Sequence, residues 1–202
     1  MHSNLLKQDF SSPFSIQYWK KAIKNVSDIR IMVLTAFFIA LYCIVNMTFR
    51  IKVSENLNIM INYIPSSLCG MVGGPIVSLI YGFISDIIGF FLRPEYGFFP
   101  GYTISTMATS FIFSLFLFGA KHNFFLYVRI AISKICVNIF INIFLNCLWS
   151  QILFGKGYFY YLATSTVKNI VLLPIEIIIM CAVIVPVFLI FKMKYTPIRR
   201  KA

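Results

Sequence analysis

An all-α integral membrane protein, built as a bundle of six transmembrane helices, is the fold class this sequence predicts. Three observations carry that reading. Of its 202 residues 59% are hydrophobic and only 12% are charged, a balance foreign to soluble globular domains. The apolar residues fall in runs long enough to cross a hydrocarbon layer about 30 Å thick. The basic residues gather at the two ends of the chain and between the runs.

The chain opens on a polar, basic tail, residues 1–30, which lacks the short apolar core and small-residue cleavage site of a signal peptide. Within it, residues 14–28 (FSIQYWKKAIKNVSD) have the pattern of an amphipathic helix lying on a membrane surface. The membrane domain is expected over 31–192, with spans at 31–49, 57–73, 75–92, 101–119, 124–154 and 164–191. Residues 193–202 form a second basic tail. Ala36 and Ala40 give the first span a smooth strip that a second helix, of this chain or of a partner, can approach closely. The second span is interrupted by Asn58, Asn62, Pro65, Ser66, Ser67 and Gly70 and is expected to be bent or irregular. Such backbone survives at membrane depth only under cover of protein or a water-filled cavity.

The third span holds Asp86 among Ile and Phe, and runs into a loop carrying Arg93, Tyr96, Phe98, Phe99 and Tyr102. A lone carboxylate at a bilayer centre costs about 2.5–3.5 kcal/mol, so a polar partner is expected. The fourth span is rich in small hydroxyl residues (Thr103, Ser105, Thr106, Thr109, Ser110, Ser114), the mark of close helix packing. Along the fifth, Lys134, Asn138, Asn142 and Asn146 recur every four residues and Trp149 follows. Asn138 to Asn146 then share an arc of roughly 80°. Amides ending in an indole can bind a ligand, or can zip one helix to another at about 0.6 kcal/mol per bond. The deeper Lys134 and Asn138 fit the second role better. The sixth span carries Lys168, Asn169, a kinking Pro174 and Glu176, which lies about 12 Å below Lys168 and has no evident partner.

Ten of the eighteen Lys and Arg precede the first span or follow the last, so both termini are expected in the cytoplasm. The net charge of +12 then reflects positive-inside tails on an anionic lipid leaflet and argues against nucleic-acid binding. The five cysteines lie singly in apolar spans and the two histidines outside them, so neither disulfides, a metal nor another cofactor is implied. There is no GxxxxGK[ST] phosphate loop, no HExxH and no catalytic triad pattern; the chain is expected to hydrolyse nothing by itself. Arg50, Arg93 and Lys168 at expected outer ends, with aromatics beside them, suit a flat, anionic ligand.

Several segments stand out as a set: Gly74-Pro75, Gly82-Phe-Ile-Ser-Asp86, Ile-Ile-Gly89, Arg93-Pro94, Phe98-Phe-Pro-Gly-Tyr102-Thr103, Asn142…Asn146-Cys-Leu-Trp149, and Lys168-Asn169…Pro174-Ile-Glu176, with Arg50 also in pattern. Together they resemble the substrate-binding S components of energy-coupling factor (ECF) vitamin transporters, most of all the folate (FolT-like) family. The resemblance covers roughly residues 28–192. It implies a six-helix bundle that binds one vitamin near its outer face. Ala36 and Ala40 would dock on a transmembrane coupling subunit driven by two ATPase subunits. In a folate site, Asp86 or the Asn142 and Asn146 amides would pair with the pterin edge. Phe98, Tyr102 or Trp149 would stack on the rings, and Arg50, Arg93 or Lys168 would bind the carboxylates. Another vitamin or pterin-like ligand is the nearest alternative. A membrane-embedded enzyme or a structural bundle is the alternative of another class.

Overall fold

The computed structural model describes residues 15–48, 51–52, 58–59, 61–92, 97–120, 124–155 and 157–195. They form α1 (Ile16–Val26), α2 (Ile29–Thr48), α3 (Tyr63–Gly73), α4 (Pro75–Leu92), α5 (Pro100–Leu117), α6 (Phe124–Cys136), α7 (Asn146–Phe154) and α8 (Tyr158–Tyr195). A π-helical segment, Val137–Leu145, joins α6 to α7, so that Phe124–Phe154 is one unbroken 31-residue rod. Among the described residues between α2 and α3, a two-residue antiparallel bridge pairs β1 (Ile51–Lys52) with β2 (Asn58–Ile59).

Among the described residues, four helices are long and apolar enough to cross a membrane: Ile29–Thr48, Pro75–Leu92, Phe124–Phe154 and Tyr158–Ile190. Helix α5 matches α4 at 18 residues, but its hydroxyl side chains dilute its apolar character. The expected span at 57–73 is corrected: its helix, α3, has only 11 residues and rises about 16 Å, half a membrane. Ten of those residues, Tyr63 and Pro65–Gly73, are buried. The protein itself therefore supplies the cover that so short and polar a segment needs. Helix α8 also runs past the expected 164–191, starting from the aromatic run at Tyr158.

Small residues set the packing. The α4–α5 interface is the most extensive in the bundle. A Cβ at Gly82 would lie 2.6 Å from the Met107 Cα, so only glycine allows this approach. Gly70 brings α3 equally close to α5, where a Cβ would meet the Ser114 backbone nitrogen at 2.9 Å. Gly74, at φ +84°, turns α3 back into α4, and Pro75 begins the new helix where no amide hydrogen is needed. Phe38, Tyr81, Phe113, Ile130 and Met180 are among the residues of the resulting core.

Helix α1 packs on one end of this bundle. Tyr18, Ala22 and Asn25 form its buried stripe. The Tyr18 hydroxyl donates to the Ser114 carbonyl at 3.1 Å, its ring meets Phe118 edge-on at 5.1 Å, and Asn25 Nδ2 donates to the Gly73 carbonyl at 3.0 Å. Burial raises the Tyr18 phenol above its ordinary pKa, partly opposed by Arg129. The amphipathic helix expected within 14–28 thus packs one stripe on the bundle, while Ile16, Trp19 and Ile23 stay exposed.

Outward faces are apolar: Phe37, Phe83, Phe91, Phe140, Ile170 and Ile178 are exposed, as befits helices solvated by lipid. Ala36 and Ala40 are exposed too, on the same side of α2 as Val33 and Ile44. Among the described residues, their strip is not covered by this chain's own helices.

Candidate functional site

Two polar assemblies flank α5. The first joins it to α4. Thr103 Oγ1 donates to Asp86 Oδ2 at 2.7 Å, and Thr106 Oγ1 lies 3.1 Å from Asp86 Oδ1. The Thr106 hydroxyl is also 3.0 Å from the carbonyl of Tyr102. These are the polar groups that offset the cost of the carboxylate.

The second assembly runs along the π segment. Lys134 Nζ is 3.1 Å from Glu176 Oε2 and 3.8 Å from the centre of the Tyr63 ring. Asn138 Nδ2 reaches the same Glu176 oxygen at 3.5 Å. Asn142 Nδ2 donates to Asn138 Oδ1 at 2.9 Å, and Asn146 Nδ2 to Asn142 Oδ1 at 3.4 Å. The ladder ends at Asn146 Oδ1, which is buried and accepts no hydrogen bond among the described residues. Lys168, two turns before Glu176 on α8, is within electrostatic reach of that carboxylate and of Cys147.

One helical turn beyond Asn146 in sequence, Trp149 belongs to an aromatic group. Trp149 donates from its indole Nε1 to Ser105 Oγ at 3.1 Å. Its ring meets Phe99 at 5.6 Å, and Phe99 meets Tyr102 at 5.9 Å, both edge-on. Gly101 is the keystone: a Cβ there would lie 2.2 Å from Phe99 and 2.7 Å from Trp149. Phe98, 48% exposed, stands apart from this group against Phe90 at 5.4 Å.

The expected residues therefore divide. Asn142, Asn146, Trp149 and Tyr102 are brought together, with Lys168 electrostatically tied to the foot of the same ladder. Asp86 sits at the α4–α5 contact: its partners Thr103 and Thr106 are about 200° and 100° around α5 from Ser105, the partner of Trp149. Arg50 and Arg93 lie outside the described residues. Ala36 and Ala40 are remote from the ladder in sequence and on an outward face.

Sequence reasoning missed Thr103, Thr106 and Ser105 as partners, Phe99 as the bridge between Tyr102 and Trp149, and Glu176 as the partner of Lys134. A usable signal existed for the last pair: two opposite charges in apolar segments of one small bundle usually meet. The hydroxyls gave none, because Thr and Ser at helix contacts mostly bond their own helix, as Ser110 does to Thr106.

Comparison with known proteins places this geometry. The chain is 28% identical to the folate transporter FolT of Clostridium novyi (strain NT) over 154 residues, 76% of this chain and 87% of that one. It is 27% identical to FolT of Leuconostoc mesenteroides subsp. mesenteroides over 156 residues, 74% of this chain and 82% of that one. A crystal structure of FolT bound with folic acid is similar to it with a TM-score of 0.69 and 26% identity, covering 76% of this chain and 91% of that one. The family profile described as "ECF-type riboflavin transporter, S component" matches residues 26–195. The matched region spans α2 to α8 and so contains both polar assemblies, and the chain belongs to this family of ECF transporter S components.

Proposed function

We propose that this chain is the folate-binding S component of an ATP-driven ECF importer. The observation that carries the reading is the end of the ladder: a buried Asn146 oxygen, unpaired among the described residues, one helical turn before Trp149 of the Phe99–Tyr102–Trp149 aromatic group. A buried acceptor without a donor is costly, and a flat ligand with N–H groups on its edge relieves that cost. A pterin is such a ligand, and the similar structure with folic acid bound supports that choice. The family profile is described by riboflavin, another flat heterocycle, so riboflavin is the competitor to test.

In this reading Asn142 and Asn146 bind the ring edge, and Trp149, Tyr102 and Phe98 cover the ring or the mouth of the site. Arg50, Arg93 and Lys168 are the cations for the carboxylates of the glutamate tail. Asp86 either joins the ring edge or holds the start of α5 through Thr103 and Thr106. Nanomolar affinity needs about 12 kcal/mol, more than one or two carboxylate contacts provide, so ring burial supplies much of it. The exposed Ala36–Ala40 strip docks on the transmembrane coupling subunit, two ATPase subunits hydrolyse the ATP, and both termini face the cytoplasm. The test is a binding titration of the purified full chain with folic acid and with riboflavin. Saturable binding of folic acid supports the reading, and riboflavin binding without folic acid overturns it.

A further inference from the structure

The amide ladder has a direction, and the ion pair at its foot sets it. An ionised carboxylate only accepts hydrogen bonds, so Glu176 obliges Asn138 to turn its Nδ2 towards it. Asn138 then offers its Oδ1 to Asn142, and Asn142 offers its Oδ1 to Asn146. Each amide passes the same polarity to the next, until Asn146 presents an oxygen with no partner among the described residues. Lys134, itself 2% exposed, holds Glu176 in place by direct contact at 3.1 Å, with the Tyr63 ring behind the ammonium at 3.8 Å. Amides spaced every four residues along this segment are neighbours on one helix face and bond directly to one another in series.

We propose that Glu176, held by Lys134, is a specificity-determining positioning residue: it fixes the amide polarity so that Asn146 offers an acceptor, and the site thereby selects ligands whose buried edge donates. This rests on the folate reading for the identity of the ligand, although the polarity of the ladder does not. The proposal gives a function to two charges that sit deeper than the ligand groups and that membrane insertion alone would select against.

Lys134 and Asn138 contact the same Glu176 oxygen, so in Glu176→Gln a side-chain oxygen in that place still accepts from both, and the ladder keeps its polarity. The paired change K134M with E176L removes that acceptor, and removing both charges together avoids an orphaned buried charge. Asn138 is then free to turn over, and the ladder with it. Two ligands read this change. Folic acid carries a donating N3–H, whereas aminopterin, with a 4-amino group in place of the 4-oxo group, has an accepting N3. In the purified full chain, E176Q should leave the ratio of the two affinities near its wild-type value, and the paired variant should shift it towards aminopterin by up to about tenfold, the worth of one buried hydrogen bond. A purely structural role predicts equal losses for both ligands in the paired variant, and that result overturns the proposal, as does an unchanged ratio there.

A second readout needs no ligand. In protein labelled with 15N-asparagine, the Asn146 side-chain amide protons, identified by their absence in N146L, should exchange slowly in the wild type and in E176Q, and faster in the K134M E176L variant. Equal protection in the wild type and the paired variant also overturns the proposal. If the wild type binds no folic acid, the folate reading fails, and the exchange experiment still decides the polarity of the ladder.

Discussion

Asp86 shows how a costly side chain acquires its place. Both of its oxygens are met by α5 hydroxyls, at 2.7 and 3.1 Å. Replacing it with alanine removes the acceptor for Thr103 and Thr106 and frees the first turn of α5, which carries Tyr102. The expected outcome is a loss of folic acid affinity of more than about tenfold, equivalent to about 1.4 kcal/mol, with membrane insertion intact. Unchanged affinity in a titration would return Asp86 to a packing role. Trp149 answers a different question, because its indole both bonds Ser105 and packs on Phe99. Trp149→Phe keeps a ring and loses the N–H, so it should weaken binding less than Trp149→Leu. Equal effects, measured by isothermal titration, would remove stacking from the account.

Among the elements, α5 is the organiser. It touches α3, α4, α6, α7 and the π segment, and its N-terminal turns carry one partner for each polar assembly. Gly101 fixes the entry to this helix, since any side chain there drives Phe99 and Trp149 apart. Gly101→Ala should therefore lower ligand affinity while the helical content of the purified protein, read by circular dichroism, stays the same; full affinity would show that the aromatic group tolerates being opened. Much of this architecture was legible in the sequence. The long apolar runs gave α2, α4, the Phe124–Phe154 rod and α8, because length and hydropathy alone decide them. The second run was less legible. Its Asn, Pro and Ser residues signalled irregularity, yet its reduction to the 11-residue α3 depends on burial by neighbours that no local pattern encodes. The π segment was invisible for a similar reason, as Val137–Leu145 has the composition of any membrane helix. At the site, the four-residue amide spacing and Trp149 were readable because periodicity alone aligns them. The Asp86 hydroxyl partners and the Glu176 pairing were not, since they join different helices.

At the scale of the whole molecule, the chain is a membrane protein of the ECF S-component family, whose site and whose outward α2 strip are separate surfaces. That separation predicts separable defects. Large side chains at Ala36 and Ala40 should abolish uptake into cells that carry the coupling subunits while leaving the isolated chain's folic acid affinity within about twofold, because surface changes away from a site cost little. Uptake that survives would remove the strip from the docking account. The central claim, that this bundle holds a folate, is tested most directly by titrating the purified full chain with folic acid and with riboflavin under the same conditions. Saturable, stoichiometric binding of folic acid with no comparable binding of riboflavin is the predicted result. Binding of riboflavin with none of folic acid would contradict it.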